Sequence, residues 1–219
     1  MIKTILIIAS VFGVAAALAY SIASFAKTAA ASPKQLAAIA TLSPTPSQVE
    51  GPYFLAGSPV RDNLIVAGMN GQAIAISGQV LATDGSIIPN ATVHVWLASP
   101  TGVYDNQDAQ GNPLNIPVSM QKLRGRILTG ATGTYKVTLL RPGNYEVEEG
   151  KFRPAHIHIR VEAPGYKTLI TQLYFTDDPF NTKDLPGKGF FQPELLVPLT
   201  AGATNSDPQT GKFNFVLVK

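Results

Sequence analysis

The stretch Ala73-Ile-Ala-Ile-Ser-Gly-Gln-Val-Leu81, followed closely by Thr83-Asp-Gly85, decides the fold class. A short run of β-branched and small apolar residues that ends on a turn signal reads as a strand, and it is too short to read as an amphipathic helix. The same unit recurs along the chain. Thr92–Leu97, Thr134–Leu140, His156–Glu162, Thr168–Phe175 and Phe213–Val218 are short runs rich in Val, Ile, Thr and aromatics. Thr132-Gly-Thr134, Arg141-Pro-Gly143 and Ala163-Pro-Gly165 mark further turns between them. No long segment carries helical periodicity and no internal repeat is present. The expectation is an all-β chain, a β-sandwich of about seven to eight mostly antiparallel strands. Two connections, 99–123 and 176–197, are long for a compact β domain, which makes them candidate carriers of function.

Composition narrows the function classes. Of 219 residues, 45% are hydrophobic and 14% charged, the balance of a globular chain. There is no cysteine, so disulfides, thiolate metal sites, iron–sulfur clusters and a cysteine nucleophile are all excluded. The formal charge of +3 includes Lys3 and Lys27, which flank an apolar N-terminal run; without them fifteen basic residues face fourteen acidic ones. No basic cluster stands out, and a nucleic-acid partner has little electrostatic support.

Residues 4–26 carry no charge. Lys3 precedes them, and the small residues Thr28-Ala-Ala-Ala-Ser32 follow. This is the pattern of a signal peptide, with Ala29-x-Ala31 as its cleavage site. An uncleaved membrane anchor is the alternative, since about 20 apolar residues span a bilayer. Both readings send the remainder out of the cytoplasm, to a periplasmic or extracellular location. The expected organisation is a signal peptide or anchor over 1–31, a proline-marked linker over 32–47, and a β domain over 48–219.

Two of the three histidines stand in Arg153-Pro-Ala-His-Ile-His-Ile-Arg-Val161. Side chains alternate faces along a strand. His156 and His158 therefore share one face, while Ile157, Ile159 and Val161 point to the core. A bare His-x-His is more often a polar pair on a solvated face. Two imidazoles at that spacing can also grip one metal ion, of the kind that suits iron, copper, zinc or nickel. Pro154 disfavours regular strand pairing just before the pair, and Arg153 adds a cation beside it. Glu146, Glu148, Glu149 and Glu162 could add a carboxylate ligand, or tyrosines could add phenolates. The physics of the residues leaves both open. His94, in Val93-His-Val-Trp96, has no neighbouring partner and reads as a surface or hydrogen-bonded histidine.

Further motifs align around this pair. They are Thr45-Pro-Ser-Gln-Val-Glu-Gly-Pro-Tyr-Phe54, Pro89-Asn-Ala-Thr-Val-His-Val-Trp96, Gly102-Val-Tyr104, Gly125-Arg-Ile-Leu-Thr129, Gly133-Thr-Tyr135, Arg141-Pro-Gly-Asn-Tyr145, Arg153-Pro-Ala-His-Ile-His158 and Thr171-Gln-Leu-Tyr-Phe175. In this order the chain resembles the intradiol ring-cleavage dioxygenases, in particular protocatechuate 3,4-dioxygenase-like proteins, as an exported member. The resemblance implies a β-sandwich with long active-site loops and an Fe(III) cofactor held by Tyr104, Tyr145, His156 and His158. It also implies catalytic roles for Arg153, Gln172 and Tyr145, the last as a ligand that accepts a substrate proton. The implied reaction cleaves a catechol between its hydroxylated carbons with O₂, giving a cis,cis-muconate derivative. Implied partners are a small catechol and O₂, a membrane only if the N-terminal segment is retained, and further subunits.

Tyr135 alternates with Val137 and Leu139 and reads as core. Tyr53, Tyr166 and Tyr174 read as packing or pocket wall, and Trp96 fits the core as well as the site. Glu146-Val-Glu-Glu-Gly-Lys-Phe152 is short and acidic, with no obvious carboxylate-binding cation for a substrate. A non-catalytic sandwich that binds a phenolic or sugar ligand is the alternative function, and a metal carrier using His156 and His158 alone is a third.

Overall fold

A computed structural model describes residues 41–183, 191–204 and 206–219. The export segment read over 1–31 and most of the linker read over 32–47 lie outside these residues. Residues 42–48 are hydrogen-bonded into the domain. Leu42 N donates to Thr83 O at 2.7 Å, Thr45 N to Val216 O at 3.0 Å and Gln48 N to Ile170 O at 2.7 Å.

Eleven strands form among the described residues. They are β1 (Ala73–Ala82), β2 (Thr92–Leu97), β3 (Arg124–Leu128), β4 (Thr134–Leu140), β5 (Tyr145–Glu148), β6 (Lys151–Arg153), β7 (His156–Glu162), β8 (Leu169–Phe175), β9 (Leu196–Val197), β10 (Gln209–Lys212) and β11 (Phe215–Leu217). The six expected runs are all present. The additional strands are short or polar. β3 opens Arg-Gly-Arg, β5 and β6 are mostly charged, and β10 is Gln-Thr-Gly-Lys. Pairing rather than composition makes these segments strands, because an edge strand needs a partner's amides more than an apolar face.

One sheet is ordered β3-β2-β7-β8-β9. In the other, β1 is flanked by β4 on one side and by β10 and then β11 along the other. β5 and β6 form a separate hairpin. Most pairs are antiparallel, but β1 runs parallel to β10 and β11, and β8 parallel to β9.

The core lies between the two sheets. β1 contributes Ile74, Ile76 and Val80, β4 contributes Tyr135, Val137 and Leu139, and β11 contributes Phe215 and Leu217. Facing them are Val93, Val95 and Leu97 of β2, Ile157, Ile159 and Val161 of β7, and Leu173 and Phe175 of β8. Period-two alternation then sends His94 and Trp96, His156 and His158, and Gln172 and Tyr174 to the outer face of the five-stranded sheet. That face is covered. Residues 45–54 cross it, held where Thr171 Oγ1 donates to Pro46 O and Gln172 Nε2 to Val49 O, at 2.8 and 2.9 Å. Arg160 Nη1 donates to Glu50 at 2.9 Å, and its guanidinium lies over the Phe54 ring.

Leu139 is fully buried between the sheets. Leu139→Ala should lower unfolding stability by about 2–5 kcal/mol, the range for truncating a core leucine. Urea denaturation of wild type and variant measures the difference.

Candidate metal centre

β7 presents His156 and His158 side by side; a loop brings Tyr104 to them, and the first residue of β5 brings Tyr145. His156 Nε2 lies 3.2 Å from His158 Nε2, 3.5 Å from Tyr104 Oη and 3.4 Å from Tyr145 Oη. His158 Nε2 is 3.0 Å from Tyr104 Oη. His156, His158 and Tyr104 are all but inaccessible, at 2, 2 and 3% exposure, and Tyr145 is half-buried.

Four heteroatoms this close are a costly arrangement for hydrogen bonding alone. His156 Nδ1 is 2.7 Å from Pro154 O, a carbonyl that can only accept. The proton therefore sits on Nδ1, and Nε2 turns a lone pair toward the other three atoms. Burial, reinforced by the Arg153 cation, holds both imidazoles well below their usual pKa, so both are neutral. Burial, with Tyr145 adding to it, pushes the Tyr104 phenol well above its usual range. Such a pocket does not sustain a phenolate unaided, and a hard cation reverses that preference. Atoms that ligate one ion at about 2.0–2.2 Å lie roughly 2.8–3.6 Å apart at tetrahedral or right angles. The observed 3.0–3.5 Å spacing fits such a shell. Two imidazoles and two phenols suit Fe(III), an ion served by anionic oxygen. Among the described residues, no group of three or more His, Asp and Glu side chains gathers as a metal site. The two-histidine, one-carboxylate alternative thus finds no support from Glu146, Glu148, Glu149 or Glu162.

The loop bearing Tyr104 is anchored by a buried ion pair. Asp105 accepts from Arg124 Nε at 3.1 Å and also pairs with Arg124 Nη2. Its Oδ2 accepts the backbone N–H groups of Lys122 and Leu123 at 2.7 and 2.9 Å. Arg124 Nη1 donates to Tyr53 O at 2.7 Å, and the Tyr53 ring stacks on Tyr104 with centroids 4.1 Å apart. Gly102 has φ +81°, and a Cβ there would sit 2.6 Å from Asn144 O, so glycine is what lets the two tyrosine loops touch. Trp96, paired with His158 across β2 and β7, stacks on its imidazole at 4.9 Å.

Arg153 ends β6, and Pro154 and Ala155 separate it from β7, as the proline led us to expect. It lies opposite Tyr145 in the β5–β6 hairpin and is buried, with 6% exposure. Its Nη2 donates to Gln172 Oε1 at 2.8 Å, as does Tyr174 Oη, also at 2.8 Å. Gln172 stands beside His158 on β8, and its polar atoms meet Arg153, Tyr174 and Val49. In the same hairpin Lys151 forms a surface ion pair with Glu148.

Tyr135 is core, with its hydroxyl donating to Phe213 O at 2.8 Å. Tyr166 packs against the core edge, and Tyr174 is fully buried behind His156. His94 lies outside the four-atom cluster, with Nε2 3.3 Å from Glu162. The sequence reading missed Asp105 and Arg124. The one clue was an acidic residue directly after Tyr104, and its cation lies nineteen residues further on.

Residues 49–219 match the family model described as "Dioxygenase". A chlorocatechol 1,2-dioxygenase of Cupriavidus pinatubonensis is 32% identical over 62% of this chain, and the chain spans only 56% of that protein's length. A chlorocatechol 1,2-dioxygenase of Rhodococcus opacus is 30% identical over 79% of this chain and 72% of its own. Among solved structures, the dioxygenase domain of a dioxygenase–carbohydrate-binding fusion from Streptomyces sp. SirexAA-E superposes with a TM-score of 0.65. It is 33% identical, covering 80% of this chain and 99% of that domain.

The Arg124 and Asp105 side chains are 0 and 8% exposed. Asp105→Ala would strand the guanidinium and should lower stability by about 3–5 kcal/mol, the range for breaking a buried pair from one side. Thermal and urea unfolding of the variant check this, and a loss under 1 kcal/mol would contradict the anchoring role.

Proposed function

Because the chain belongs to the intradiol ring-cleavage dioxygenases, we propose that it is an Fe(III)-dependent enzyme that opens a catechol between its hydroxylated carbons with O₂. The product is a cis,cis-muconate derivative. The observation that carries this reading is the convergence of Tyr104, Tyr145, His156 and His158, heteroatom to heteroatom, at 3.0–3.5 Å. A ligand-binding sandwich without catalysis has no use for four crowded lone-pair atoms, and a two-histidine carrier has no use for the phenols. When bound, the ferric ion supplies Lewis-acid polarisation and a template for the two substrate oxygens.

The chain's own residues supply the rest. Tyr145 is the more accessible of the two tyrosines; held as a phenolate by the ion, its Oη would be the atom placed to take a hydroxyl proton from an arriving catechol. Arg153, opposite it, stays charged at working pH and faces the negative charge that develops as the ring is attacked. Gln172 keeps the guanidinium pointed at the site by accepting from Nη2. Trp96, Tyr53 and Phe54 form the apolar backing that keeps water from competing for the same polar groups.

Neutral catechols fit this site better than carboxylated ones. The hairpin that carries Tyr145 and Arg153 exposes Glu146, Glu148 and Glu149, and its Lys151 is already paired with Glu148. Two relatives are named chlorocatechol 1,2-dioxygenases, in keeping with an uncarboxylated ring.

Iron content, visible spectrum and turnover of catechol, measured together, test the assignment. Wild type should bind iron, show reddish tyrosinate-to-iron absorption and release a cis,cis-muconate. Tyr104→Phe and His158→Ala should lose iron or colour. Arg153→Ala should keep both, yet turn over on the order of 10²–10³-fold more slowly, the usual loss for one preorganised electrostatic group. Full iron and unchanged colour in both ligand variants would overturn the metal assignment. Unchanged turnover in Arg153→Ala would make that residue structural.

The run over residues 4–26 supports export, with the catalytic domain at 48–219 working outside the cytoplasm. N-terminal sequencing of protein from native cells should find mature chains that begin near Ser32. A full-length chain in the membrane would indicate a retained anchor, and a full-length cytoplasmic chain would refute export.

A further inference from the structure

On the reading that His156 and Tyr145 are iron ligands, we propose that Asp178 is the positioning residue for both. It acts on His156 through the Pro154–Ala155 peptide and on Tyr145 through Asn144. Asp178 lies in the turn after β8 and is 8% exposed. One carboxylate oxygen, Oδ1, closes that turn by accepting Phe180 N–H at 2.9 Å. The other, Oδ2, has no part in the turn. It accepts Ala155 N–H at 2.9 Å and Asn144 Nδ2 at 2.7 Å, from segments 23 and 34 residues away in sequence.

Ala155 N–H and Pro154 C=O belong to the same peptide group. His156 Nδ1 donates to that carbonyl at 2.7 Å. The bonds therefore form a line, from the His156 imidazole to the Pro154 carbonyl, across the peptide, and from the Ala155 amide to the Asp178 carboxylate. A negative charge on the amide side polarises the peptide and makes its carbonyl a stronger acceptor. The stronger bond fixes the imidazole's tautomer and orientation and raises the basicity of Nε2, as a carboxylate does when it meets a metal-binding histidine directly. Here the peptide stands between the two. The Asn144 bond gives the same oxygen a second effect, since it fixes the residue before Tyr145, whose Oη lies 3.4 Å from His156 Nε2. One buried oxygen thus sets the spacing of two of the four heteroatoms. A residue that served only its turn would need only Oδ1.

Nitrogen NMR of metal-free protein with labelled histidine tests the line directly. In wild type, His156 should carry its proton on Nδ1, with the proton resonance far downfield. A wild type protonated at Nε2 overturns the proposal, whether or not any variant folds. Asp178→Asn preserves shape but offers one oxygen to three N–H groups. It should move the His156 Nδ1 proton upfield, speed exchange of the Ala155 amide, and weaken iron retention against a chelator by on the order of 10–100-fold. Asn144→Ala should shift the tyrosinate absorption of the iron form and leave the His156 proton in place. An unmoved His156 resonance with unchanged iron retention in Asp178→Asn would reduce Asp178 to a turn residue. If wild type takes up no iron at all, the iron reading fails on its own, and the metal-free spectra still decide the Asp178–His156 connection.

Discussion

β7 is buried on both faces, and the rest of the molecule follows from that. One face carries Ile157, Ile159 and Val161 into the core between the sheets, and the other carries His156 and His158. A strand can leave its polar face in water at no cost. This one does not, because residues 45–54 lie across it and the loop of Tyr104 and the start of β5 close over its start. Burying two imidazoles strips them of solvent and holds them neutral, and it brings two phenols against their free nitrogens. Packing on one side holds the strand against the core. That packing fixes where the polar groups on the other side stand.

The other two heteroatoms come from the loop of Tyr104 and from the start of β5, and specific contacts anchor each. Asp105 and Arg124 tie the Tyr104 loop to β3 by an ion pair whose charges are almost wholly out of water. Such a pair adds little net stability compared with apolar residues of the same shape, because desolvation offsets its attraction. Its value is directional. A guanidinium that meets Asp105, Asn106 and the Tyr53 carbonyl admits one loop conformation. Tyr145 opens β5, and the β5–β6 hairpin sets it opposite Arg153. Pro154 and Ala155 then break the strand, so that Arg153 and His156 reach the site from consecutive strands.

Composition excluded sulfur chemistry, and periodicity placed six strands, three of them with the bounds the structure shows: Thr92–Leu97, Thr134–Leu140 and His156–Glu162. The shared face of His156 and His158 was legible because strand alternation is a local rule. The tyrosines were not legible from local rules. Tyr104 is over fifty residues from His158 in sequence, and only the motif resemblance named it; the structure brings their polar atoms to 3.0 Å.

Short polar strands such as β3, β5 and β10 were missed, since edge pairing leaves no periodic mark in so few residues. Asp105–Arg124 and the Asp178 contacts were missed for a related reason. A carboxylate on a loop looks the same in sequence whether it meets water or a buried amide. By itself, then, the sequence determined what each strand buries and which histidines share a face, because those depend on neighbours two residues apart. Which distant carboxylate meets which amide, and how three heteroatoms come within 3.5 Å of His156 Nε2, was decided only by the tertiary structure, because those contacts exist only once the two sheets and their covering segments have packed.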